Sequence, residues 1–137
     1  MWPQAKGVPP LARAAHAAAR VGDRVYVFGG RHQTFRLNDI HFLDIKRMEW
    51  REAIDQNESK LTKKPNGRSW HTLTALSDNQ IVLYGGFTHD CKPMGDCWLF
   101  NTESMTWSVV NLPFYKPRLW HSAIPTLNGE GMPSILK

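Results

Sequence analysis

A hexapeptide that occurs twice constrains this chain more than any other feature. Val25-Tyr26-Val27-Phe28-Gly29-Gly30 returns as Ile81-Val82-Leu83-Tyr84-Gly85-Gly86, four apolar residues closed by a glycine pair. A short β-branched and aromatic run bounded by glycine reads as a buried strand rather than a helix. The glycines, lacking Cβ, allow φ > 0 or a close backbone approach where the strand ends. Other features recur in register around the copies. An Arg-x-x-His tetrad precedes each one, Arg13-Ala14-Ala15-His16 and Arg68-Ser69-Trp70-His71, and a third stands at Arg118-Leu119-Trp120-His121. After the glycine pairs, Asp39 and Asp96 open further apolar runs, and Trp50 and Trp107 come late in each unit. The tetrads lie 55 and 50 residues apart. Several features recurring together at one period mark a repeat protein.

That period, with one glycine pair and one late tryptophan per unit, resembles the kelch repeat, whose units are four-stranded blades of a β-propeller. The resemblance implies an all-β chain: an incomplete kelch-type propeller of two full blades plus the start of a third. Residues 1–10 then form a lead-in or the end of a preceding blade, with Trp2 its closing tryptophan. Residues 11–54 form one blade, 55–66 an inter-blade loop, 67–112 a second blade, and 113–137 the truncated start of a third. In the first blade, strand a follows His16, b runs Val25 to Phe28, c runs Asp39 to Ile45, and d opens at Trp50. In the second, a follows His71, b runs Ile81 to Tyr84, c runs Asp96 to Phe100, and d runs Trp107 to Val110. A ring needs roughly four to eight blades. With 137 residues, the chain is expected to be a piece of a longer propeller, through truncation, alternative splicing or an incomplete gene model.

Composition removes several function classes. The formal net charge is +5 and the pI about 9.5, yet no basic stripe interleaved with aromatics appears, so nucleic acid is not an expected partner. The densest basic run, Lys60 to Lys64, reads as a solvated loop. No apolar run approaches the roughly 20 residues of a membrane span, and the Pro-rich start lacks a signal-peptide core. Two cysteines make no disulfide framework, which suits a reducing compartment, cytoplasm and/or nucleus. His89, Asp90, Cys91 and Cys97 share one segment, but the cysteines are six positions apart with no second pair, a poor match to structural zinc. No metal and no cofactor is expected. Nothing resembles a nucleophile elbow, a Walker loop or HExxH, so a non-catalytic binding module is expected rather than an enzyme.

Blade topology then gathers a different chemistry. In an up-and-down blade the b–c loop and the d–a connection lie at one end, where binding residues concentrate. Arg31 and Arg36 fall in the first b–c loop, Arg68, Ser69 and Trp70 in a d–a connection, and Arg118 and Trp120 in the next. Arg31 stands where the second unit has Phe87. Two guanidiniums can grip a carboxylate or phosphate through charge-assisted hydrogen bonds, and a hydroxyl such as Ser69 adds a donor. Equally, both arginines can be solvated, or paired with Asp39 or Glu52. Arg13, Arg68 and Arg118 recur in register and read as inter-blade hydrogen-bonding residues. His16, His71 and His121 read as framework histidines, and Trp50 and Trp107 as core anchors.

The wording of several segments goes beyond a generic repeat. "RAAHAAARVGDRVYVFGGRHQTFRLNDIHFL", "GRSWHTL", "LYGGFTHD" and "KPRLWHSA" together resemble the kelch-domain-containing substrate receptors of cullin-RING ubiquitin ligases, in the subgroup that reads protein C-termini ending in Gly-Gly. The resemblance implies that Arg31, Arg36 and Ser69 bind the terminal carboxylate of a protein C-terminal peptide. It also implies that Trp70 and Trp120 are pocket walls. Elongin and cullin components would engage only regions absent from this sequence. Two other readings stand beside it: a kelch interaction scaffold with no ligase role, and a non-functional truncated isoform. A requirement for a free carboxylate separates the first from the second; whether the chain folds separates the third.

Overall fold

The computed structural model describes residues 4–54 and 63–111, together with the backbone of strands at 125–127 and 133–135. In chain order the first part holds β1 (Lys6–Gly7), β2 (Ala17–Val21), β3 (Arg24–Phe28), β4 (Arg31–His32), β5 (Phe35–Arg36), β6 (Ile40–Asp44) and β7 (Glu49–Glu52). The second holds β8 (Arg68–Ser69), β9 (Thr72–Ser77), β10 (Gln80–Tyr84), β11 (Phe87–Thr88), β12 (Cys97–Asn101) and β13 (Thr106–Val110), and a hairpin follows, β14 (Pro125–Leu127) and β15 (Pro133–Ile135). No helix occurs among the described residues. The strands β2-β3-β6-β7 and β9-β10-β12-β13 make two antiparallel four-stranded meanders. They are the two blades expected from the repeats, and the sheets do not close on themselves.

Alternation along the b strands decides how the blades stack. In β3, Tyr26 and Phe28 are buried in one core with Ile81 and Leu83 of β10, whereas Val82 and Tyr84, their counterparts in the repeat, lie in a separate cluster. Tyr26 lies 5.8 Å from Phe100 and Phe28 lies 5.1 Å from Trp107, ring centre to ring centre. Side chains of this size contribute about 1.5–3 kcal/mol each on full burial, so the inter-blade layer is the main cohesive element. Trp107 is an anchor of this core. Trp50, its counterpart, is only half-buried, because no sheet of described residues covers its face of the first blade.

Three details go beyond the repeat pattern. Residues 4–10 are not merely a lead-in: β1 joins the outer edge of the first blade in parallel with β7, Lys6 donating to the Met48 carbonyl at 2.7 Å. A side chain at position 7 would collide with the Trp50 carbonyl, and the backbone there has φ = 80°, so the strand can approach only through a glycine. The first b–c loop contains its own ribbon, β4 paired with β5. In the second, β11 pairs with β8 across the d–a connection. Positions 55–62 of the inter-blade loop, Trp2, and the third tetrad with Arg118, Trp120 and His121 lie outside the described residues.

Candidate functional site

The recurrent arginines build the frame of the site. Arg13 forms a fork with both carboxylate oxygens of Asp39, at 2.7 and 2.8 Å, and also donates to the Gly29 carbonyl at 2.9 Å. Arg68 repeats this on Asp96 and donates to the Gly85 carbonyl at 3.0 Å. Each fork therefore lies within one blade, pinning the tetrad to strand c and the glycine pair; the inter-blade hydrogen bonds expected of Arg68 are made by its backbone. A third donor completes each carboxylate, His41 Nε2 at 2.7 Å from Asp39 and Trp98 Nε1 at 2.8 Å from Asp96. Burial alone would raise the pKa of both carboxyls. The hydrogen bonds and charge of Arg13 and His41 outweigh it and hold Asp39 well below the usual carboxylate range; Arg68 and Trp98 hold Asp96 down. His71 does span the blades, its Nε2 lying 2.9 Å from the Phe28 carbonyl. His16, its counterpart, is exposed.

Arg13 and Arg68 are occupied by these forks, whereas Arg31 and Arg36 are not. They are direct cross-strand partners in the β4-β5 ribbon, so their side chains share one face with Cβ atoms roughly 5 Å apart. Like charges placed opposite one another are destabilising unless something neutralises them. Among the described residues neither joins an ion pair, and Asp39 is already held by Arg13 and His41. Arg31 is exposed and donates through Nε to the Gln33 carbonyl at 2.8 Å. Arg36 Nε is buried with no hydrogen-bond partner.

Ser69 comes to the same place from the second blade. Gly30 N donates to the Arg68 carbonyl at 2.8 Å and Arg68 N to the Leu37 carbonyl at 3.1 Å, so the d–a connection runs against the first b–c loop. The approach is tight: any side chain at Gly67 would overlap the Arg36 carbonyl. Ser69 is wholly buried and its Oγ has no partner. Phe87 is its ladder partner, and the Arg36 guanidinium carbon stands 5.8 Å from the centre of the Phe87 ring. Trp70 is exposed and takes φ = 61°, with its N–H on the Ala15 carbonyl at 2.9 Å. Unpaired buried donors beside two unneutralised guanidiniums suit an anion with several acceptor oxygens.

The model of the kelch-repeats domain of the KLHDC2/KLHL20/DRC7 group matches residues 2–130. The chain belongs to this kelch-repeat family. It is 44% identical over 133 residues to the bovine protein named Kelch domain-containing protein 2, covering 95% of this chain and 32% of that protein. With mouse Kelch domain-containing protein 1 it shares 43% identity over 118 residues, 85% of this chain and 28% of that protein. It is also 34% identical over 113 residues to Acyl-CoA-binding domain-containing protein 4 of Arabidopsis thaliana, which covers 79% of this chain and 17% of that protein. The chain thus spans about a third of the length of its kelch domain-containing relatives. Kelch-repeat domains are typically non-catalytic protein-interaction modules.

Two other features of this kelch chain lie away from the arginine ribbon. A cleft of about 780 Å³ opens at the opposite end of the blades, between the a–b and c–d turns, where Asp23, Asp44, Asp78 and Glu103 mix with Arg24, Lys46 and Arg47. Cys91 and Cys97 lie in different settings, a loop and strand c. Cys91 is exposed, whereas Cys97 lies in β12, buried beside Val82 and Tyr84 with its thiol pushed up to about 11 by burial and by Asp96. The residue that sequence reasoning passed over is Phe87. The repeat exposed it as the occupant of Arg31's place, but its stacking on Arg36 crosses a blade boundary that no spacing reveals.

Proposed function

We propose that this chain supplies part of the recognition pocket of a ubiquitin-ligase substrate receptor, one that captures protein C-termini ending in Gly-Gly. Arg31, Arg36 and Ser69 are the carboxylate ligands, with Trp70 and Trp120 as walls. The observation that carries the reading is the Arg31–Arg36 cross-strand pair, like charges held side by side with no carboxylate among the described residues to neutralise them. A bound carboxylate supplies the missing acid, and its oxygens accept from the buried Arg36 Nε and Ser69 Oγ. The pocket binds and performs no chemistry. Delivery of ubiquitin is the work of elongin and cullin components bound elsewhere in a longer protein, in the cytoplasm and/or nucleus.

A thermal melt followed by tryptophan fluorescence tests the reading directly. Ligand that binds only the native state raises its stability by mass action. A peptide ending in free Gly-Gly is expected to raise the midpoint, while its amidated twin, which loses the charge and leaves the donors poorly paired, is expected to leave it unmoved. A cooperative melt indifferent to both peptides would sink the C-terminus reading and leave a kelch scaffold for internal motifs.

A further inference from the structure

We propose that Phe87 is a positioning residue of the anion site, holding the Arg36 guanidinium with its ring while its backbone seats Ser69. The inference rests on the assignment of Arg36 and Ser69 as carboxylate ligands and extends it to the element that joins them. Arg36 belongs to the first blade and Ser69 opens the second, so neither can set the other's place through its own sheet. Phe87 touches both. In β11 it is the direct ladder partner of Ser69, which puts the ring and the Ser69 hydroxyl on one face of the ribbon. Its ring centre lies 5.8 Å from the Arg36 guanidinium carbon, within cation–π range.

Nothing else among the described residues fixes the head of Arg36. Its Nε is buried without an acceptor and it joins no ion pair. A long side chain without an anchor must surrender rotamer freedom when it binds, and a preformed stack removes that cost beforehand. The repeat sharpens the point. Phe87 occupies in the second blade the place that Arg31 holds in the first. An arginine there would add a third like charge, and an aliphatic residue would pack without attracting a cation. An aromatic ring provides attraction without consuming the N–H groups that an anion needs.

The test uses Phe87→Leu and Phe87→Trp, each alone and in an Arg36→Ala background. Affinity is measured for a free-acid Gly-Gly peptide and its amidated twin. Phe87→Leu is expected to weaken the free acid about two- to five-fold, the amount a cation–π contact supplies. Phe87→Trp should restore wild-type affinity, and Phe87→Leu should have no further effect once Arg36 is Ala. A loss of the same size in the Arg36→Ala background, or one that Trp fails to rescue, overturns the proposal. If the unsubstituted chain does not distinguish free acid from amide, the carboxylate reading itself fails. The NMR resonance of Arg36 Nε–H without peptide then decides on Phe87: a shift on Phe87→Leu supports the stack, and an unmoved resonance overturns it.

Discussion

In the first blade the residue after the glycine pair is Arg31, and its ribbon partner is Arg36; in the second the same two places hold Phe87 and Pro93. The backbone around them is one design used twice. Leu37 N closes on the Gly30 carbonyl and Met94 N on the Gly86 carbonyl, both at 2.8 Å. Ala14 bridges to Arg31 where Ser69 pairs with Phe87, and Ala15 and Trp70 take the same left-handed φ, 57° and 61°. Beneath both loops lies the same arginine–aspartate fork. What differs is charge. The scaffold does not need a guanidinium after the glycines, since the second blade forms without one, and so the pair in the first blade is not a requirement of the repeat's backbone.

If the forks are structure and the ribbon is function, the two kinds of arginine should fail differently. Arg68→Ala removes a wholly buried side chain, strands the partly buried Asp96 carboxylate and takes away the donor to the Gly85 carbonyl. Breaking a buried pair from one side costs about 3–5 kcal/mol, which urea unfolding would read as a large drop in midpoint at unchanged slope. Arg13→Ala removes the same bonds from a side chain almost as buried, on a carboxylate less exposed than Asp96, 17% against 27%. The expected cost is therefore of the same order, about 3–5 kcal/mol. A loss at only one of the two forks would break their equivalence.

Transplanting the second blade's residue into the first sharpens the comparison. Arg31→Phe writes the second ribbon's residue into the first, at an exposed position whose side chain, among the described residues, bonds the nearby Gln33 carbonyl. Stability should move by no more than about 0.5 kcal/mol, as for other exposed positions. Affinity for a free-acid Gly-Gly peptide should fall about ten- to a hundred-fold, the value of one charge-assisted bond of 1.5–3 kcal/mol. A variant that unfolds would move Arg31 into the framework; one that binds normally would remove it from the pocket.

Much of this was legible because repetition separates shared residues from singular ones. Arg13 and Arg68, Asp39 and Asp96, and the glycine pairs all announced a structural task by recurring, and strand identities followed from runs such as Val25 to Phe28. Arg31 stood out by breaking the pattern. The rest was hidden where contacts join segments that have no counterpart. β1 reaches the first blade through a Lys6–Gly7 step that resembles any Pro-rich linker, and only the close approach to the Trp50 carbonyl reveals the need for glycine. Trp50 and Trp107 look alike in sequence, yet burial depends on which face a neighbouring sheet covers, a tertiary property that spacing does not encode. The direction of the forks, within a blade rather than between blades, was hidden for the same reason.

The smallest expected effect comes from acid, and it tests the property the two blades share. Asp39 and Asp96 both have pKa values held below those of the unfolded chain, burial opposing and the arginine forks prevailing. A carboxylate depressed in the folded state contributes stability above its unfolded value, roughly 3.9, and loses it as pH falls through and below that point. Unfolding free energy attributable to these two groups should therefore be level from pH 7 to about 5 and decline below about 4. Asp39→Asn and Asp96→Asn should each lower stability at pH 7 and flatten the acid limb, while Arg31→Phe should leave that limb unchanged. An acid limb indifferent to Asp96→Asn would mean that the second fork holds its geometry without contributing charge, and the two blades would then share a shape but not its energetic cause.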